Sequence, residues 1–202
     1  MATESKSQTD EVELDEDIDE DNIPTEIIKS VVKIFVTHCG PWYSQPWEMN
    51  VSSSSTSSGF IISTTNREIM CNAHGVVNHT SIRVRKYGES KKYSATIKYI
   101  GHDCDLAVLT VEDNKFWNNK QDEVKPIEFM NVTPSLQDTI TVLGYPKGGD
   151  DLSVTQGVIS RIGFTNYSHS SKWLLTMQID AAIDFAILAL NLLVLTKPNN
   201  RR

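Results

Sequence analysis

Residues 103–111 read DCDLAVLTV, and this stretch decides the class of fold. Its second half is a near-continuous apolar run, which is typical of a short strand buried in a sheet or barrel. Similar runs, rich in β-branched and aromatic residues, recur along the chain and are separated by polar or turn residues. The predicted strands cover residues 30–36, 59–62, 68–71, 81–84, 93–100, 106–111, 139–143, 154–162 and 173–179.

No long amphipathic helix interrupts this series of short strands. Many closely spaced strands without helices between them predict an all-β protein, built as barrels or a sandwich. A polar stretch at 113–126, which contains Phe116 and Trp117, would link two halves of the chain. The serine-rich segment 52–58 is predicted from its composition to be a flexible loop.

The first 22 residues are strongly acidic. They hold ten acids and one base, Lys6, and so carry −9, whereas the whole chain of 202 residues carries −7. The remaining residues therefore sum to about +2 without a basic stripe, which argues against nucleic-acid binding. The dense like charges predict a disordered, solubilising tail, and a docking segment for a basic partner is the alternative.

The N-terminus does not resemble a targeting segment. It lacks the apolar core of a secretion signal, and it is acidic where organelle transit peptides are rich in arginine. A cytoplasmic or nuclear location is therefore favoured over export, and the location is otherwise unknown. In such a compartment Cys39, Cys71 and Cys104 are expected to be reduced thiols in the core.

A His–Asp pair is the candidate for chemistry. Asn72-Ala73-His74 follows one predicted strand, and Asp105 opens another. Histidine is the side chain best suited to take a proton near neutral pH, and a buried carboxylate on its second nitrogen fixes the tautomer. The order of histidine, aspartate and a later nucleophile is that of chymotrypsin-type hydrolases. A purely structural hydrogen-bonded pair is the alternative.

Further motifs surround this pair in a fixed order. They are SGFII at 58–62, NAHGVV at 72–77, DLAVL at 105–109, GYPKGG at 144–149, LSVT at 152–155, GVISR at 157–161 and QIDAAI at 178–183. In order and spacing this series resembles the protease domain of the Do-like (HtrA, DegP) serine proteases, over about 27–183. The linker with Phe116 and Trp117 and the GYPKGG loop most resemble the plant branch of that family.

The resemblance implies a chymotrypsin-like double β-barrel whose second barrel is incomplete in this chain. It implies that His74 is the general base and that Asp105 is the carboxylate that orients it in a charge relay. Residues 164–173 match a loop that senses bound peptide in the family. The resemblance also implies unfolded or peptide substrates and assembly as homo- or hetero-trimers. No cofactor, metal, nucleic acid or membrane partner is expected.

The chain departs from the family at the nucleophile. After Asp-Ala-Ala-Ile the family reads Asn-Pro-Gly-Asn-Ser-Gly-Gly-Pro, whereas residues 184–191 read DFAILALN. The nucleophile serine therefore falls on Leu188. Ala186 replaces a glycine of the oxyanion turn, and Ala189 and Leu190 replace the two glycines that follow the serine.

These replacements predict a Do-like serine endopeptidase homologue that is catalytically inactive, or a truncated gene product. Leucine has no group that can attack a carbonyl carbon, and the glycine turn that would aim the oxyanion-hole N–H groups is replaced. Three alternatives remain: an active serine endopeptidase if the C-terminus is wrongly assigned, a non-enzymatic peptide-binding or trimer-modulating subunit, and a domain that does not fold stably. Other serines in the second half lack a glycine-rich turn: Ser153, Ser160, Ser168, Ser170 and Ser171.

A zinc site is a further hypothesis for the same region. Cys71 and His74, together with His102 and Cys104, could supply four ligands, but their spacings are unusual for a structural site. Core thiols and a surface His102 are the competing interpretation. Three other histidines have no partner visible in the sequence and are interpreted as surface residues: His38, His79 and His169.

The predicted organisation has five segments. They are an acidic tail at 1–22, a first barrel at 23–112, a linker at 113–126, a partial second barrel at 127–183 and a divergent apolar C-terminus at 184–202. The apolar run at 185–195 is shorter than the roughly 20 residues of a membrane-spanning helix, and a buried strand or helix is expected there. The sequence ends at Arg202, where the family would still need the strands that close its second barrel.

Overall fold

The computed structural model describes residues 25–117, 124–129, 133–146, 148–182 and 193–196. Strands dominate these ranges, as predicted, and two short helices accompany them, α1 (Thr25–Ser30) and α2 (Asn114–Trp117). The acidic tail lies outside the described residues, and so does the position of Leu188. In the described part, no helix has both the length and the apolar character needed to cross a bilayer.

The first half of the chain closes into a six-stranded antiparallel barrel. Its strands are β1 (Val31–His38), β2 (Ser53–Ser63), β3 (Glu68–Asn72), β4 (His79–Lys86), β5 (Tyr93–Gly101) and β6 (Leu106–Thr110). The order around the barrel is β1-β2-β3-β6-β5-β4, and β4 pairs with β1 to close it. Closure gives every strand of this unit two neighbours, which removes the full-length edge strands that favour edge-to-edge aggregation.

Inward-facing side chains fill the barrel. Along β6, Ala107 and Leu109 are at most 1% exposed, because alternate residues of a strand point to the same face. Phe116 of α2 is fully buried in the same core, and its ring meets that of Tyr93 edge-on with centroids 5.2 Å apart. Burial of such a ring stabilises the fold by about 1.5–3 kcal/mol. The start of the linker, which follows Val111, therefore packs onto the first barrel.

The described residues of the second half form an open four-stranded sheet. Its strands are β7 (Thr139–Gly144), β8 (Ser153–Tyr167), β9 (Lys172–Ala181) and β10 (Leu193–Thr196), in the order β10-β7-β8-β9. All neighbours in this sheet are antiparallel. The prediction of a complete first barrel and a partial second unit is confirmed. The strand β10 falls in the apolar C-terminal run and pairs with β7.

One sequence-based expectation about the first barrel was wrong. The serine-rich segment was predicted to be a flexible loop, but Ser53–Ser58 forms the first half of β2 and pairs residue by residue with β1. Composition misleads here because a strand that is paired on one side can present serine hydroxyls to solvent on its outer face. The pairing with β1, a strongly apolar strand, fixes the register.

The strands β8 and β9 form a long hairpin that extends past its own sheet. β7 pairs only with Ser153–Val158 of β8, whereas β8 and β9 pair from Gly157–Ala181 up to Tyr167–Lys172. The segment 164–173, predicted from the family resemblance to be a loop, is therefore mostly paired strand with a turn at 168–171. This two-stranded arm carries its tip to the first barrel.

Polar contacts join the barrel to the second sheet. The Lys33 side chain of β1 is 3% exposed and donates to Asp150 Oδ1 over 2.9 Å and to the Gly149 carbonyl. The backbone N–H of Tyr145 donates to Ser58 Oγ over 2.7 Å. A buried ammonium group needs polar partners, and Lys33 of the barrel has them in the loop that joins β7 to β8. This contact therefore holds the barrel and the second sheet in one arrangement.

Candidate active site

His74 lies directly after β3, at the rim of the barrel. The Ala73 N–H donates to the Asp105 carbonyl over 3.1 Å, which ties the end of β3 to the turn that precedes β6. The Val76 N–H donates back to the Ala73 carbonyl over 3.0 Å and turns the chain away from the barrel. The His74 side chain therefore stands at the surface and is 38% exposed.

Asp105 occupies the last position of the turn between β5 and β6. Its φ angle is 55°, in the left-handed region that aspartate tolerates better than most residues. The Asp105 N–H donates to the His102 carbonyl over 3.3 Å, which closes the turn. The turn directs the carboxylate inward, where it is fully buried.

The two side chains form a direct pair, as the sequence predicts. His74 Nδ1 lies 2.5 Å from Asp105 Oδ2, and the His74 backbone N–H donates to Oδ1 over 2.8 Å. Two bonds from one residue fix the carboxylate relative to the ring. With a proton on Nδ1 facing the carboxylate, Nε2 remains available to accept a proton from another group.

Three side chains that the sequence analysis did not assign also face this carboxylate. Asn72 Nδ2 donates to Asp105 Oδ2 over 3.2 Å, and Tyr167 Oη donates to the same oxygen over 2.7 Å. His169 Nε2 lies 3.8 Å from Asp105 Oδ1, so the interpretation of His169 as an ordinary surface residue was wrong. Asn72 could have been suspected because it lies two residues before His74, whereas Tyr167 and His169 were covered only by the match of 164–173 to a peptide-sensing loop, which did not place them on Asp105.

The environment keeps Asp105 ionised. Burial alone would raise the pKa of the Asp105 carboxyl, but hydrogen bonds from Tyr167, His74 and Asn72 outweigh burial and hold that pKa below its ordinary value. Burial and the bond to Asp105 also raise the pKa of the Tyr167 hydroxyl, so Tyr167 remains a donor. The site thus places the His74 imidazole against an ionised carboxylate.

The zinc hypothesis is not supported. In the described ranges, no group of three or more His, Cys, Asp or Glu side chains is placed to hold a metal ion. Cys71 is buried, and burial followed by the charge of Asp105 raises its pKa to about 12, which disfavours the thiolate that zinc requires. His102 is exposed, with Nδ1 3.4 Å from His169 Nε2.

The cysteines differ from one another in exposure. All three are free thiols, but only Cys71 is buried, while Cys39 is half-buried and Cys104 is exposed. The expectation of three core thiols was therefore wrong for two of them. The remaining predicted site residue, Leu188 at the nucleophile position, lies outside the described residues.

The comparisons with known proteins agree with this geometry. Residues 57–190 match a family model described as a trypsin-like peptidase domain. Two relatives from Arabidopsis thaliana are protease Do-like 2, chloroplastic, 43% identical over 157 residues, and protease Do-like 4, mitochondrial, 41% identical over 157 residues. Each alignment covers 78% of this chain but only 25% and 29% of the relative. The chain thus spans less than a third of these proteins.

Solved structures show the same fold at lower sequence identity. The HtrA-type protease AlgW, solved with a decapeptide, has a TM-score of 0.63 and 17% identity over 85% of this chain and 54% of its own. The Rv3671c protease from M. tuberculosis, in its active form, has a TM-score of 0.60 and 21% identity over 81% of this chain and 64% of its own. The chain belongs to the trypsin-like peptidases and, within them, to the plant branch of the Do-like (HtrA/DegP) proteases.

Proposed function

We propose that this chain is a Do-like protease homologue that keeps the general-base pair of a serine endopeptidase and does not hydrolyse peptide bonds. The observation that supports a retained base is the 2.5 Å contact between His74 Nδ1 and Asp105 Oδ2. The observation that supports inactivity is in the sequence, where Leu188 stands at the nucleophile position. A leucine side chain has neither a lone pair to attack with nor a proton to give up.

The hydrogen bonds of His74 support the absence of a substitute nucleophile. In the described residues both of them go to Asp105, and none joins the ring to a serine hydroxyl. A general base must lie within hydrogen-bond reach of the proton it takes. Ala186 also replaces a glycine of the oxyanion turn, and Ala189 and Leu190 replace the two glycines that follow the serine. Loss of the nucleophile together with this turn would remove the residual hydrolysis that an intact oxyanion hole can support.

Peptides are the ligand class proposed for such a domain. The curated relatives are named as proteases, and the solved neighbour AlgW contains a decapeptide. A domain that keeps the fold and the His–Asp pair but lacks the nucleophile would bind unfolded or peptide segments without cutting them. Assembly into homo- or hetero-trimers is the corresponding proposal for its partners.

A fluorophosphonate probe tests the inactivity directly. The probe reacts with a serine that a neighbouring base activates, so the native chain is expected to remain unlabelled while an active serine protease in the same assay is labelled. A heat-denatured sample serves as the control for non-specific reaction. Labelling of the native chain that heating abolishes would overturn the proposal, and the labelled residue would identify the nucleophile.

A pair of variants tests the stated reason for inactivity. Leu188→Ser alone restores a hydroxyl but not the glycine turn, and it is expected to remain unlabelled. Leu188→Ser combined with Ala186→Gly, Ala189→Gly and Leu190→Gly restores both, and probe labelling above that of the single variant is expected. Equal labelling of the two variants would show that the glycine turn does not matter here.

A further inference from the structure

The tip of the β8–β9 hairpin places one hydroxyl group on the buried carboxylate of the His–Asp pair. Tyr167 Oη donates to Asp105 Oδ2 over 2.7 Å, and the same oxygen faces His74 Nδ1 at 2.5 Å. We propose that Tyr167 is a positioning residue, whose hydroxyl fixes the Asp105 carboxylate and thereby sets the orientation of the His74 ring and the strength of its hydrogen bond to Asp105. This inference rests on the proposed role of the pair as a general base.

The carboxylate needs such a donor because it is fully buried and ionised. A buried ionised group is stable only when hydrogen bonds replace its lost water. The Asp105 oxygens are unequal: Oδ1 accepts from the His74 backbone, whereas Oδ2 accepts from His74 Nδ1, Asn72 Nδ2 and Tyr167 Oη. Of the donors on Oδ2, Tyr167 alone comes from the second sheet, from a residue 62 positions away in the chain.

Three donors share the negative charge of one oxygen. If the Tyr167 hydroxyl is removed, the charge on Oδ2 is shared by His74 and Asn72 alone. An oxygen that accepts fewer hydrogen bonds accepts each remaining one more strongly, because its negative charge is shared among fewer donors. Loss of the hydroxyl should therefore strengthen the hydrogen bond from His74 Nδ1, a change that a merely space-filling role of the ring would not produce.

Other titratable groups around the pair are accounted for. His169 Nε2 lies 3.8 Å from Asp105 Oδ1, and its ring centroid is 5.8 Å from that of His74. His102 from the β5–β6 turn lies beside His169, with ring centroids 5.7 Å apart. Burial and the charge of Asp105 raise the pKa of the Cys71 thiol to about 12, so the thiol stays protonated. All of these groups are unchanged in a variant that alters only the Tyr167 hydroxyl.

The experiment is proton NMR of the histidine Nδ1–H resonances of Tyr167→Phe in the complete chain. This change keeps the ring and removes only the hydroxyl. We expect the Nδ1 proton resonance of His74 to move downfield relative to wild type, because its hydrogen bond to Asp105 becomes stronger. The matched control is Thr165→Val, because Thr165 lies on the same face of the hairpin and bonds to Thr176 over 3.0 Å without touching Asp105.

Two results of this experiment would overturn the inference. An unchanged His74 Nδ1 proton resonance in Tyr167→Phe would show that the hydroxyl does not act on the pair. An equal shift in Thr165→Val would show that hairpin integrity, not the hydroxyl, sets the strength of the His74–Asp105 hydrogen bond. Thermal melting of both variants confirms that the comparison is made between folded proteins.

A measurement on the wild-type chain tests the same contact without a substitution. A tyrosine hydroxyl bonded to a buried carboxylate resists ionisation, so the Tyr167 resonance should show no titration at pH 10, the ordinary tyrosine pKa being about 10. Titration of Tyr167 at the ordinary value would contradict the inference. Neither measurement depends on hydrolysis: fluorophosphonate labelling of the wild type would overturn the proposed inactivity and leave the role of Tyr167 intact.

Discussion

At the scale of single residues, the buried carboxylate of Asp105 organises the candidate site. It accepts hydrogen bonds from Asn72 at the end of β3, from His74 just beyond that strand, and from Tyr167 at the tip of the β8–β9 hairpin. The pairing of His74 with Asp105 could be predicted from the sequence, because the motifs around both residues resemble those of the Do-like proteases in order and spacing. The same reasoning could not find Tyr167 or His169, since their approach depends on how far the hairpin extends in space.

Asp105→Asn should destabilise the fold. The amide has one acceptor oxygen instead of two, so at least one of the donors around the buried position is left without a partner. Hydrogen bonds to charged groups contribute about 1.5–3 kcal/mol, and a fall of about 2 kcal/mol in the free energy of unfolding is expected. Urea unfolding measures this change. Asp103→Asn, at an exposed position two residues earlier, is the control, and an equal loss in both variants would contradict the prediction.

The same carboxylate predicts a pH dependence of stability. The pKa of Asp105 is lower in the folded chain than in the unfolded chain, so its ionisation stabilises the fold above the unfolded value of about 3.9. That contribution is lost as the pH falls through the folded pKa. The free energy of unfolding of the wild type should therefore fall more steeply than that of Asp105→Asn between about pH 5 and about pH 2. Parallel curves for the two proteins would count against this assignment.

At the scale of strands, the long β8–β9 hairpin depends on the close approach of its two strands. A Cβ atom added at Gly157 would overlap the carbonyl oxygen of Asp180 and lie 2.6 Å from the Ala181 Cβ. At Gly163, on the same strand, the nearest atom would be Arg161 Nε at 3.9 Å. The sequence analysis placed Gly157 in a strand motif and did not single out Gly163, because their different surroundings exist only after β8 pairs with β9.

Gly157→Ala should therefore destabilise the second sheet, whereas Gly163→Ala should not. Overpacking against backbone atoms costs about 1–3 kcal/mol, since the strands must shift apart to admit the methyl group. Gly163→Ala is expected to be near neutral because its methyl group meets no backbone. Thermal melting of the two variants provides the comparison. A fall in Tm for Gly163→Ala as large as that for Gly157→Ala would refute the packing argument.

At the scale of the whole molecule, the strands that could be predicted from the sequence are those whose side chains are buried. Apolar strands such as β1 and β6 could be read from the sequence because burial demands apolar side chains on the inner face. The serine-rich half of β2 could not, since its pairing with β1 is decided by the partner strand. The contacts that join the barrel to the second sheet, at Lys33, Tyr145 and Tyr167, lie between residues far apart in the chain. Because these contacts join the barrel to the second sheet, we expect the barrel and the sheet to unfold together.

The buried thiol of Cys71 makes this cooperativity measurable. Cys71 has no exposed surface and a pKa raised to about 12, so a thiol reagent at pH 8 reaches it only when the barrel opens. Native protein should react rapidly at Cys104, more slowly at the half-buried Cys39, and slowest at Cys71, whose reaction waits for the barrel to open and is accelerated by urea. Cys71→Ala should abolish this slowest phase alone. Fast reaction of Cys71 in native buffer would contradict the closed barrel.

Combining this assay with the hairpin variant decides whether the barrel and the second sheet form one cooperative unit. Gly157→Ala alters only the second sheet, whereas Cys71 lies on β3 in the barrel. If the junction contacts couple the units, Gly157→Ala should accelerate labelling of Cys71 by about tenfold for each 1.4 kcal/mol lost, and Gly163→Ala should leave the rate unchanged. Labelling at the wild-type rate in Gly157→Ala would mean that the barrel stands alone. In that case the hairpin could leave Asp105 without opening the core, and the contact of Tyr167 would be a local one.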